Sequence, residues 1–270
     1  MGGGPGVRFT SKGMKRGLVM REALSSVHLR VFLSAVVAVV LMGCAVGVER
    51  ATDVAAPPPD QGARAQPAPA PDPEADKVDR PTSDPYKGDL SIFEEKGRAE
   101  KLQIDRVMDL LDIKEGSSVA DIGAGSGWFT VRAARRVGEG GSVYAVEINK
   151  KYLEHIEDRA RRENLPNVRP VLGREDDPLL AKGSVDAVLL LKTYHEIAQP
   201  VVLMRHVREA MRPGARLGVI DRDGDGDDHG IDGAKVIEEV ERAGFKLVAQ
   251  HDLVKPDDMD YFLVFEPKPE

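Results

Sequence analysis

The feature that most constrains this chain is a glycine run in one place, Asp121-Ile122-Gly123-Ala124-Gly125-Ser126-Gly127. It follows a short apolar stretch, Ser118–Ile122, and opens a helical pattern at Trp128. Glycine at a strand-to-helix turn lets the backbone turn tightly and lets a ligand approach it closely. A tight turn with no ligand is the plain alternative. Spacing narrows the choice. The glycines run G-x-G-x-G, and Trp128 stands where a G-x-G-x-x-G loop carries its third glycine. That glycine packs helix closely on strand beneath a pyrophosphate, so Trp128 disfavours a nucleotide-dependent oxidoreductase. A second anchor is Glu147, which ends the strand-like run Val143-Tyr-Ala-Val-Glu. An acid at such a tip, this far past a glycine loop, accepts both hydroxyls of a ribose.

Around these anchors apolar runs alternate with helical patterns. Strands are predicted at Ser118–Ile122, Ser142–Glu147, Val168–Leu172, Val185–Leu191, 216–221, Phe245–His251 and 261–265. Helices are predicted at 103–111, Trp128–Val137, 151–164, 201–211 and 233–243. Strands separated by helices of this length imply right-handed crossovers and a parallel sheet. Only residues 252–260 separate the last two strands, which permits an antiparallel hairpin and no crossover. The predicted fold is α/β: a single doubly wound, mostly parallel seven-stranded sheet with a C-terminal antiparallel hairpin.

These residues together resemble the class I, Rossmann-like methyltransferases that use S-adenosylmethionine. The matching stretches are Val119-Ala-Asp121-Ile-Gly-Ala-Gly-Ser-Gly127, Val146-Glu147, Gly173 through Val185-Asp186-Ala-Val, and Met211-Arg-Pro213-Gly214. The resemblance implies S-adenosylmethionine as cofactor. Gly123, Gly125 and Gly127 would line its methionine and ribose portion, and Asp121 would reach its amino group through water. Glu147 would hold the ribose and Ile148 would pack on the adenine. The family carries an Asp after the Gly at 173 to accept from the adenine amine. Arg174 stands there and cannot accept, so the role is expected to pass to Glu175 or Asp176. The resemblance says almost nothing about the methyl acceptor.

Methyl transfer from a sulfonium is an in-line displacement that needs alignment, plus a base where the acceptor is poorly ionised. Tyr194 and His195 follow the fourth strand, at the carboxyl edge where open α/β sheets bind substrates. They are the candidates for positioning the acceptor and removing its proton. The other histidines show no metal spacing in the sequence, and no metal is expected. The run 221–232 holds D-x-D-x-D-G with an acid at position twelve, the first half of a calcium loop. It departs from that loop in Asp232 for Glu, in Asp228 for an apolar residue, and in a preceding strand for a helix. A solvated loop over the mouth of the site is the favoured reading.

The N-terminus points outward from the cytoplasm. Arg21 and Arg30 precede an uncharged run, 31–42, that ends in Leu41-Met42-Gly43-Cys44. A basic start, a short apolar core and a small residue before the cut describe a secretory signal. The ending resembles a bacterial lipobox, whose cysteine, here Cys44, is acylated. An uncleaved membrane anchor is the alternative, with the same sidedness. Half of the 18 prolines lie from Pro57 to Pro85, so residues 44–88 are read as an extended tether and 89–270 as the folded domain. Beyond residue 43 the chain carries 32 basic and 44 acidic side chains, a balance of −12 that repels phosphate backbones and excludes nucleic acid as a partner. The expected protein is a methyltransferase lipid-anchored in the cell envelope, acting on a small molecule or envelope component. The alternative is a non-catalytic envelope binding module on the same fold.

Overall fold

The computed structural model describes residues 76–226 and 228–269. The signal, Cys44 and most of the tether lie outside these residues. Among the described residues no helix is long and apolar enough to cross a membrane.

Seven strands form one sheet: β1 (Ser118–Ile122), β2 (Ser142–Glu147), β3 (Val168–Leu172), β4 (Val185–Leu191), β5 (Met211–Asp221), β6 (Phe245–His251) and β7 (Tyr261–Pro267). Their order is β3-β2-β1-β4-β5-β7-β6. The first five are mutually parallel, and β7 runs antiparallel to both β5 and β6. The helices are α1 (Arg98–Lys101), α2 (Ile104–Leu110), α3 (Trp128–Val137), α4 (Lys150–Arg162), α5 (Pro200–Ala210) and α6 (Gly233–Arg242). Helix starts follow local chemistry. Asn149 and Asp232 cap α4 and α6 through their side-chain oxygens, and Pro200 occupies the first turn of α5, where no N–H is needed.

Alternation along the strands divides the core. Val119 of β1 packs with Trp128, Phe129 and Ala133, whereas Ala120 and Ile122 pack with Leu203, Met204 and Val207. Both clusters are nearly solvent-free, so the central strands are covered on both faces.

Two expectations change. The strand predicted at 216–221 starts five residues earlier, because Met211 already pairs with Val185 before a bulge restores register at Ala187–Arg216. The folded body also begins before residue 89. Residues 76–88 form a strap laid on the domain: Arg80 donates to both oxygens of Glu239 at 2.7 and 3.2 Å and to the carbonyl of Ile197 at 3.3 Å. Asp76 pairs with Arg205, and Val78 packs against the core. Proline keeps such a strap extended without helix or sheet, and its charged side chains find partners on α5 and α6.

Candidate functional site

A cleft of about 680 Å³ opens at the carboxyl edge of β1, β2 and β4, within the size range of small-molecule sites. The glycine loop, Glu147 and Ile148 line one part of it. The strap (Thr82–Lys87), Phe93, Thr193 and Glu196 line another.

The three loop glycines all adopt the left-handed conformation but for different ends. A Cβ on Gly123 would lie 2.3 Å from the Thr193 side chain, so glycine there lets β1 and the segment after β4 approach. A Cβ on Gly125 would meet nothing nearer than Phe93 at 3.8 Å, because that position faces the open cleft. Gly127 does not line the cleft. It precedes α3 and leaves room for Ile156, whose Cγ1 would be 3.2 Å from an added Cβ. The expectation that it borders the ligand is corrected to helix packing.

Glu147 is pinned rather than floating. Its Oε1 accepts the N–H groups of Ile148 and Asn149 at 2.8 and 2.9 Å, and its Oε2 accepts that of Gly125 at 3.0 Å. A carboxylate has about four acceptor sites, so Oε2 keeps one for a ligand donor. Asp121 is fully enclosed beneath the loop and accepts from the Thr130 hydroxyl at 2.5 Å. Burial pushes its carboxyl up to about 7, against the lowering effect of the Thr130 hydrogen bonds and with a smaller push from Glu147. A cation reaching it from the cleft would restore the carboxylate.

Trp128 is buried between two guanidinium groups, those of Arg132 at 3.8 Å and Arg98 at 4.6 Å from its ring centre. Ile148 is 41% exposed and lines the cleft, free to cover a flat ring. Of the two acids offered for the adenine amine, Glu175 borders the cleft and Asp176 does not; the carbonyl of Asp176 instead accepts from His206.

The acceptor-side candidates fare differently. Tyr194 is fully buried in the core under α5, with its ring 5.9 Å from the Arg80 guanidinium. Burial, reinforced by the Glu239 charge, holds its hydroxyl well above the ordinary value. It does not reach the cleft, so its catalytic role is withdrawn. Apolar neighbours on α5 draw the ring inward, an effect no local spacing announces. His195 is also buried and does not line the cleft directly. Its Nδ1 lies 2.9 and 3.0 Å from the two oxygens of Asp221, which is itself inaccessible to solvent. Asp221 also accepts the backbone N–H groups of His195 and Arg222.

The cleft wall there is Glu196, which sequence reasoning passed over. It accepts from the strap at Tyr86 N–H, 3.2 Å, and burial raises its carboxyl to about 7, countered by the neighbouring His195 and by that N–H. His229, 33 residues further on, completes a group. One ligand atom from each of His195, Glu196 and His229 lies within 4.8 Å of the others. The expectation that the histidines form no metal-type cluster therefore fails, because the 221–232 loop folds back over the end of β4. Among the described residues of that loop, the acids serve separate partners. Asp221 serves His195, Asp223 accepts from Gly233, Asp228 from Gly230, and Asp232 caps α6.

The strand order and the loop-and-acid pair define the class: this is the fold of S-adenosylmethionine-dependent methyltransferases. Residues 119–214 match the family described as methyltransferase domain. The chain is 32% identical over 115 residues to nocamycin O-methyltransferase of Saccharothrix syringae, covering 42% of this chain and 41% of that one. It is 29% identical over 111 residues to a protein-L-isoaspartate O-methyltransferase of Pyrococcus horikoshii, covering 41% and 47%. The chain thus spans less than half the length of these curated relatives. Among solved structures, a SAM dependent methyltransferase from Aquifex aeolicus superposes with a TM-score of 0.59 at 23% identity, over 66% of this chain and 98% of its own. The cyclase SpnF does so with a TM-score of 0.55 at 17% identity, over 70% and 88%. A cyclase on the same sheet shows that fold alone does not specify the reaction. Residues 119–214 are therefore similar to a methyltransferase domain, and the reaction of the whole protein has to be argued from its site.

Proposed function

We propose that this protein is an S-adenosylmethionine-dependent methyltransferase held at the cell envelope, acting on a small molecule or an envelope component. The observation that carries the reading is the pinned Glu147 carboxylate, with one acceptor site left open beside a Gly125 that faces open cleft. A sugar diol needs that acceptor, and its ligand needs that clearance. Buried Asp121 below the loop suits the amino group of a methionine portion. Room continues past the donor half toward Phe93, Tyr86 and Glu196, where an acceptor has space. A binding module would need none of this second space, so catalysis is the better account.

Calorimetric titration of the full chain in detergent tests the cofactor. S-adenosylmethionine and its demethylated product should both bind, and NAD should not. Tighter binding of NAD, or no binding of either sulfur ligand, would remove the reading. The envelope location rests on Leu41-Met42-Gly43-Cys44. Several acyl chains on one cysteine anchor stably where a single chain would not. Metabolic labelling with a fatty acid should mark the wild type and not Cys44→Ser. Equal labelling of the two would refute lipid attachment at that residue. Nucleic acid is not among the partners proposed, given the acidic balance of the chain.

A further inference from the structure

We propose that His195, Glu196 and His229 form a binding site for one divalent transition-metal ion at the acceptor side of the cleft, with Asp221 orienting His195. This ion site stands independently of the methyl-transfer reading.

The argument begins with proton accounting. The Asp221 carboxylate only accepts, and it already takes backbone N–H groups from His195 and Arg222. The His195 Nδ1 beside it, at 2.9 and 3.0 Å from its two oxygens, must therefore be the donor. In the neutral ring that leaves the lone pair on Nε2. Nε2 faces the Glu196 carboxylate at 3.9 Å, too far for a hydrogen bond. The His229 ring stands edge-on to His195 with centroids 5.8 Å apart. Two imidazoles and a carboxylate thus bring one ligand atom each to within 4.8 Å of the others. Two imidazole nitrogens and a carboxylate oxygen this close together are a ready ligand set for a cation.

The surroundings hold the three in place. His229 has a φ of +61°, a conformation that non-glycine residues seldom take. It is kept there by its N–H donating to Ser83 Oγ at 3.0 Å and by Arg222 donating to its carbonyl at 3.0 Å. Ser83 also donates its backbone N–H to the carbonyl of His195 at 3.2 Å, so one strap residue ties the two histidine segments together. Tyr86 N–H fixes Glu196. A carboxylate behind the distal nitrogen of a ligating histidine is the common outer partner of metal-bound imidazole.

Ligand chemistry selects the ion. Two imidazole nitrogens and one carboxylate suit borderline ions such as Zn²⁺ or Fe²⁺, whereas Ca²⁺ and Mg²⁺ prefer oxygen. Three protein ligands leave a coordination position open, the pattern of catalytic zinc. Glu196 lines the cleft, so the ion would face the space assigned to the acceptor.

The test uses the full chain in detergent, stripped with chelator and dialysed against Zn²⁺, with Co²⁺ as the spectroscopic probe. One Zn²⁺ per chain is expected, and Co²⁺ should give the visible bands of a nitrogen-ligated site. His229→Ala and Glu196→Gln should each weaken Co²⁺ binding at least tenfold with far-ultraviolet circular dichroism unchanged. Asp221→Asn should weaken it by about 10–100-fold, the usual effect of losing an outer carboxylate. Asp223→Asn with Asp225→Asn, in the same loop but outside the cluster, should leave it intact. The proposal is overturned if the wild type retains no more Zn²⁺ than His229→Ala, as would follow if a proton alone bridged the cluster. It is equally overturned if only the Asp223 and Asp225 pair matters. All readouts are of metal, so failure of cofactor binding would not be mistaken for failure of the ion site.

Discussion

Arg80 and Glu239 lie 159 residues apart, and the side chains of both are only 4% exposed where they meet. Replacing Arg80 with methionine keeps the bulk of the side chain and removes the cation. Glu239 is then a buried carboxylate on α6 without its partner. Breaking a buried pair in this way costs about 3–5 kcal/mol, most of it the desolvated charge left behind. For a body of this size each kcal/mol moves the melting temperature by roughly 2–4 °C, so Arg80→Met should melt roughly 6–20 °C below wild type. The second half of the reasoning concerns Glu239. Adding Glu239→Met to Arg80→Met removes the stranded charge, and apolar replacement of a buried pair is often close to neutral. The double variant should therefore recover most of the loss. Thermal and urea melts of wild type, both single variants and the double variant complete the cycle. A loss under about 1 kcal/mol in Arg80→Met, or losses that simply add in the double variant, would show that the strap is not held by this pair. A chain cut at residue 89 creates the same vacancy and should be unstable for the same reason.

Glu147→Ala should weaken S-adenosylmethionine by about 2 kcal/mol, near thirtyfold, since a ribose acceptor is lost and the Gly125 amide is released; unchanged affinity in calorimetry would remove the ribose assignment. Gly125→Val should abolish binding in a protein that still folds, because the added side chain projects into open cleft and strain is confined to one left-handed position. Normal affinity in a folded variant would reduce the loop to a turn. Asp121 titrates at about 7 in the folded protein against 3.8 ordinarily. The folded, ligand-free state thus holds a proton that the unfolded chain has lost between pH 4 and 7, and stability should fall as pH rises through that window. Cofactor binding needs the carboxylate, so affinity should drop toward tenfold per pH unit below 7 in wild type and lose that slope in Asp121→Asn. An identical slope in the variant would assign the proton to another group, with Glu196 the next to test.

The donor half of the site was legible because its parts are local. The glycines and Asp121 sit in one seven-residue turn, and Glu147 ends the next strand, so period and spacing alone place them on one sheet edge. Strand ends came out nearly right for the same reason, apart from β5, whose early start depends on a bulge partner in β4. The acceptor half was not legible. Tyr194 and His195 are adjacent in sequence, and both turn away from the open cleft, Tyr194 into the apolar layer under α5 and His195 toward Asp221 at the end of β5. Spacing could flag the pair but not its orientation. Glu196, in the same turn, is the side chain that reaches the cleft.

The strap explains why that half escaped a reading by segments. A stretch rich in proline, next to a tether, carries no hydrophobic period, and its composition alone favours disorder. Its order comes from partners far along the chain: Glu239 for Arg80, Gly226 and His229 for Ser83, and Glu196 for Tyr86. Each of these contacts closes a loop of more than a hundred residues, so none is visible until the sheet has brought β4, β5 and α6 together. The same contacts give the strap its place in function. It forms one wall of the cleft while fixing both Glu196 and His229. Any ligand that enters past the strap must therefore meet the side chains that the strap itself aligns. Changes in Thr82–Lys87 should accordingly alter acceptor selection and leave cofactor affinity, which rests on the β1 and β2 tips, largely as it was.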